Sequence, residues 1–157
     1  MLVGPLVLGV GCDPNEDGDD VAADEGSSSD DGTPAVLCEE EDRDEDFAIG
    51  LAHEGESLTV TIADAEPSLP VRGDNAWTLT ITDAGGAAME GMLFTIAPWM
   101  PDHGHGSPVE PTTLALGEGQ YLLNRLNLFM AGYWEITLGL SDGQGTEDEV
   151  VFRVCVE

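Results

Sequence analysis

The chain contains no lysine. Arg43, Arg72, Arg125 and Arg153 are its only fixed cations against 32 Asp and Glu, which leaves a formal charge of -28 over 157 residues. A molecule of that sign repels phosphate backbones, so nucleic acid is not an expected partner. It also repels anionic lipid head groups, so electrostatic attachment to a membrane is not expected. Without lysine there is no Schiff-base chemistry. The chain also lacks a serine elbow, a P-loop and an H-E-x-x-H zinc motif. Ser107 lies near His105, but no third group completes a triad. Carboxylates are too numerous to single out a glycosidase pair. The expectation is therefore a protein that is not an enzyme. No apolar run reaches the ~20 residues that a membrane-spanning helix needs.

The acidic residues are unevenly placed. Sixteen of them precede Phe47, in a stretch of Asp, Glu, Gly, Ser and Pro with little to bury, which cannot offset the entropy of ordering. Residues 12–46 are expected to form a disordered acidic linker, extended by its own repulsion. Asp13 to Asp20 lacks the spacing and closing glutamate of an EF-hand loop. Ahead of the linker, residues 1–11 read MLVGPLVLGVG, uncharged and apolar, followed by Cys12. This resembles a bacterial lipoprotein signal with its lipobox. The resemblance implies cleavage after Gly11, lipidation of Cys12, and a membrane partner reached through a lipid anchor.

From Phe47 the pattern changes to short alternating segments. Leu58, Val60 and Ile62 share one face of Ser57–Ala63, and Trp77, Leu79 and Ile81 one face of Ala76–Thr82. Further strands are expected over Met92–Ala97, Thr112–Leu116, Gln120–Leu126, Tyr133–Leu140 and Glu149–Val156, separated by turn signals such as Asp83-Ala-Gly-Gly and Ser141-Asp-Gly. No capped helical run stands out. About seven or eight strands in residues 47–157 read as an all-β, immunoglobulin-like antiparallel β-sandwich. Cys38 precedes that domain and Cys155 lies in its last expected strand. In an oxidising compartment they would form a disulfide joining its start to its last strand; otherwise they are two free thiols.

Residues Trp99-Met100-Pro101-Asp102-His103-Gly104-His105-Gly106 hold two of the three histidines. In extended backbone a His-x-His pair points to one side, and the glycines allow the rings to converge. Met100 adds a thioether, and Met130, beside a glycine turn in Phe129-Met-Ala-Gly-Tyr-Trp134, supplies a second if the two loops share one end of the sandwich. Met100, His103, His105 and Met130 would make a site of two nitrogens and two sulfurs, suited to copper and to Cu(I) in particular. The competing reading is a rigid structural loop, with Met130 in the core. His53 stands alone and reads as structural or exposed.

The order of short motifs from Gly73 to Leu138 resembles the YtkA-like domain and, more distantly, FixH. The shared features are Gly73-Asp-Asn75-Ala-Trp77, the turn Asp83 to Gly86, Met100-Pro-Asp-His103-Gly-His105-Gly, Gly119-Gln-Tyr121 and Phe129-Met130-Ala-Gly132-Tyr-Trp134. With the acidic linker and the lipobox-like start, the chain resembles lipoproteins of Gram-negative bacteria carrying such a domain. The resemblance implies an immunoglobulin-like sandwich in the cell envelope. Through FixH it implies a link to copper handling, with a copper protein or oxidase assembly factor as partner. The alternative is a structural or protein-interaction module of the envelope that binds no metal.

Overall fold

The computed structural model describes residues 38–157. Cys12 and the segment up to residue 37 lie outside the described residues. A short 3₁₀ turn, Cys38–Glu40, precedes nine strands: β1 Ala52–Glu54, β2 Leu58–Glu66, β3 Gly73–Asp83, β4 Leu93–Met100, β5 His105–Gly106, β6 Thr112–Gly117, β7 Gln120–Leu128, β8 Gly132–Ser141 and β9 Glu147–Val156. They form two sheets, in the order β1-β2-β3-β7-β6 and β5-β4-β8-β9. Every pairing is antiparallel. The result is the expected immunoglobulin-like β-sandwich. All seven anticipated strands are present. The two additional ones, β1 and β5, are too short to display an alternating pattern.

The core follows from the period of two. Val60, Ile62, Trp77, Leu79 and Ile81 from one sheet meet Trp134, Ile136, Leu138, Phe152 and Val154 from the other. Burying such side chains is worth about 1.5–3 kcal/mol each. The aromatic layer continues from Phe47 to Trp77 to Phe152, with ring centroids 5.0 Å and 5.9 Å apart.

Cys38 and Cys155 are disulfide-bonded across 117 residues. This corrects the reading of 39–46 as free linker. Although acidic, Glu39–Asp46 is held on the sandwich as a strap by the disulfide, by the Glu45 N–H donating to the Arg153 carbonyl (3.0 Å), and by Arg43. On this side β1 lies beside β9. The Asp148 carboxylate on β9 reaches across to accept the backbone N–H groups of Glu56, Ser57 and Leu58 at 2.8–2.9 Å. Burial works against the charged carboxylate, but these donors outweigh it and hold Asp148 below the usual carboxylate range.

Candidate functional site

The histidine loop is the turn between β4 and β5, and its two glycines are explained by backbone geometry. Met100 accepts at its carbonyl from the N–H groups of His103 (3.2 Å) and Gly104 (2.9 Å), closing a tight turn. Gly104 sits at φ +69°, where a side chain is strained. A Cβ on Gly106 would stand 2.8 Å from the Pro98 carbonyl oxygen and push β5 off β4. The turn fixes the two imidazoles as neighbours, with ring centroids 5.7 Å apart. His103 is exposed and His105 half-buried. His105 stacks on Phe129 at 5.5 Å, and Phe129 meets Trp134 edge-on at 5.8 Å. Trp134 donates its indole N–H to the Met130 carbonyl at 3.0 Å. The β4–β5 and β7–β8 turns therefore share one end of the sandwich.

The two methionines sit at this end but belong to the layer beneath. Met100 is 1% exposed, and its methyl carbon lies 3.0 Å from where a Cβ on Gly132 would stand. Met130 is partly buried and packs against the core cluster. The structure thus brings His103 and His105 together, one exposed and one half-buried, while Met100 and Met130 pack into the core.

Asp102 does not orient a histidine. Its two carboxylate oxygens accept from Arg43 at 2.9 Å and 2.7 Å. The same guanidinium binds Glu41 and lies over the Tyr133 ring, 4.2 Å from its centroid. The hydrogen bond from Arg43 holds the Asp102 carboxyl below the usual carboxylate range. The Tyr133 hydroxyl is pushed up to about 12 by burial and by the Glu135 carboxylate beside it. Arg43 is the residue that sequence reasoning missed. Its signal was its rarity, one of four cations in the chain and set among seven acidic residues of the strap. Among the described residues, no group of three or more His, Cys, Asp or Glu side chains gathers as a metal site. His53, as expected of a lone histidine, is structural. Its Nε2 is 2.7 Å from Glu45 and its ring meets Phe152 edge-on at 4.6 Å.

A family model described as YtkA-like matches residues 52–139. The chain belongs to the YtkA-like family. No curated protein and no solved structure matches it significantly. Seen on the fold, most of the motifs that mark this YtkA-like domain are scaffold. Asn75, buried, ties the β2–β3 connection by accepting from the Val71 N–H and donating to the carbonyls of Val71, Gly73 and Leu126. Asp83 accepts from the N–H groups of Gly85 and Ala87 in the next turn. The Tyr121 hydroxyl donates to the Met89 carbonyl and accepts from the Met92 N–H. Trp134 closes the β7–β8 turn. Of the histidine pair, His105 stacks on Phe129 and sets its Nδ1 3.3 Å from the Gly106 carbonyl oxygen, and His103 meets the His105 ring.

Proposed function

We propose that this YtkA-like domain is a non-catalytic, lipid-anchored module of the bacterial cell envelope that binds copper at the His103–His105 turn, for delivery or buffering. The observation that carries this reading is the pairing of two imidazoles at 5.7 Å on a glycine-closed turn whose one carboxylate, Asp102, is paired elsewhere. With ring nitrogens about 2 Å from a bound ion, as in zinc sites, two rings at this separation can share one metal. The nearest carboxylate, Asp102, is taken by Arg43. The exposed donors are therefore nitrogen, with the thioethers of Met100 and Met130 packed against the core, and an imidazole pair suits copper better than an oxygen-seeking cation. The lipid anchor rests on the resemblance of residues 1–12 to a lipoprotein signal. A copper protein or oxidase assembly factor as partner rests on the distant likeness to FixH.

Competition of the full chain with a colorimetric Cu(I) chelator tests the site. One equivalent withheld by the wild type, and lost in the double variant His103→Ala/His105→Ala, is the expected result. Equal binding by the two proteins would overturn it.

A second reading is favoured by the stacking of His105 on Phe129 and by the burial of Met100. There the turn is a structural cap of an interaction module. In that case the double variant loses thermal stability in the absence of metal. A metal site instead gives a copper-dependent rise in melting temperature that the variant lacks.

A further inference from the structure

The two sheets do not end together on the side away from β1 and β9. β6 is the last strand of its sheet, and Thr112–Leu116 are exposed on both faces. Register with Leu123 and Tyr121 turns Thr113 and Ala115 inward. They remain exposed because no strand of the other sheet stands opposite them. That other sheet is short by most of a strand. β5 pairs with β4 only at Trp99 and Met100, and the chain then leaves through Ser107, whose N–H donates to the Pro98 carbonyl at 3.3 Å. Beyond that point, among the described residues, nothing pairs with Leu93–Ala97 on this side.

The phase of the ladder shows what that edge offers. The Pro98 carbonyl, the one backbone hydrogen-bonding group a proline has, faces the β5 side, and in an antiparallel strand alternate residues face the same neighbour. β4 runs against β8 without a register shift. The N–H and C=O groups of Phe94 and Ile96 are therefore directed at the empty position. Their side chains are inward and only half-buried. A strand laid there would gain backbone hydrogen bonds and cover Phe94, Ile96, Thr113 and Ala115.

Edges of this kind are blunted by charge or by proline. Proline stands here only at Pro98, beside β5, and Leu93–Ala97 carries no charge. Residues 91–101 and 111–117 contain no Asp, Glu, Lys or Arg, in a chain of net charge -28. Leu93 and Leu114 are 63% and 61% exposed on the two flanks. The electrostatics also select the occupant. Two copies of this chain repel each other, and an acidic protein is repelled likewise, whereas a basic segment is attracted and an uncharged one is not repelled.

We propose that the free edge of β4, Leu93–Ala97, is a strand-addition site for an extended segment of a partner protein, apolar at alternate positions and uncharged or basic. Such a strand takes the same place in the sheet as β5 and lies end to end with it, so the partner is seated beside His103 and His105. The addition site stands on strand geometry and charge alone. Only the further step, that the seated partner exchanges metal with the turn, rests on the copper reading.

The test is residue-resolved amide exchange of the full chain without copper, with a short lysine-flanked peptide of alternating Val and Thr as probe. At saturation the Phe94 and Ile96 amides should exchange about tenfold more slowly or better. The same peptide N-methylated at alternate residues should give no protection, and a glutamate-flanked version should bind more weakly. No slowing at Phe94 and Ile96 with the lysine-flanked peptide at millimolar concentration would overturn the proposal. So would protection that appears without peptide and rises with protein concentration, which would make a second copy the occupant. Neither result would bear on the copper titration, which has its own variant.

Discussion

Along β9 and β1 the sandwich is closed by a disulfide, an acidic strap and carboxylates held by backbone N–H groups; along β4 and β6 it is open and uncharged. The first side is tied together by side-chain contacts, most of them between residues far apart in sequence. Cys38 meets Cys155, Asp148 meets Glu56 to Leu58, and Glu45 meets Arg153 and His53. The second side leaves Leu93, Leu114 and Leu116 in solvent and backbone groups of β4 unpaired. The acidic residues are thus used in two ways. On the closed side some become structural, because each finds a donor. On the open side they are missing, and that allows an uncharged edge to persist on so acidic a protein. The histidine turn lies where the two sides meet, anchored to the strap through the Arg43–Asp102 pair and opening onto β4.

The contrast can be broken most severely at the disulfide. The double variant Cys38→Ser/Cys155→Ser should lose about 4–5 kcal/mol in the chain-entropy description of so long a loop, read as a lower guanidinium midpoint. A midpoint unchanged from wild type would show that the strap is held without the bond.

The next largest effect belongs to Asp148. Its folded carboxyl lies below the unfolded range, so its contribution is complete above the unfolded value of about 4 and is lost as pH falls through the folded one. Asp148→Asn should cost about 1.5–3 kcal/mol at neutral pH, the worth of a hydrogen bond to a charged group. It should also make unfolding less steeply dependent on pH below about 4. An unaltered acid limb would assign that dependence to other carboxylates.

A smaller change in stability is expected of Arg43→Met, because the ion pair is exposed and screened by solvent. Its effect should be local, as faster amide exchange at His103 and Gly104 with the melting temperature nearly unmoved. The smallest effect of the series belongs to the open side. Leu114→Glu should stay within about 0.5 kcal/mol of wild type, as surface substitutions do. A large loss there would mean that β6 is part of the core after all.

The fold was legible wherever a strand was long enough to alternate. Leu58, Val60 and Ile62, or Trp134, Ile136 and Leu138, announce their face by period alone. β1 and β5 were not legible, because Ala52–Glu54 and His105–Gly106 are too short to carry a period. Glu39–Asp46 reads as linker by composition. The bond from Cys38, the cation Arg43 and the contacts of Glu45 turn it into a strap, and composition cannot express a contact with Asp102, 59 residues on. The proximity of His103 and His105 follows from the His-Gly-His spacing. The depth of Met100 is set by the close approach of β8 at Gly132, which no local pattern reveals.

The assignment of function to the histidine turn is tested most directly by following the backbone amide spectrum of the full chain during titration with Cu(I). Changes should be confined to Trp99–Gly106 and Phe129–Trp134 and be complete at one equivalent. Changes led instead by the acidic strap Glu39–Asp46, or an unaltered spectrum, would contradict the assignment.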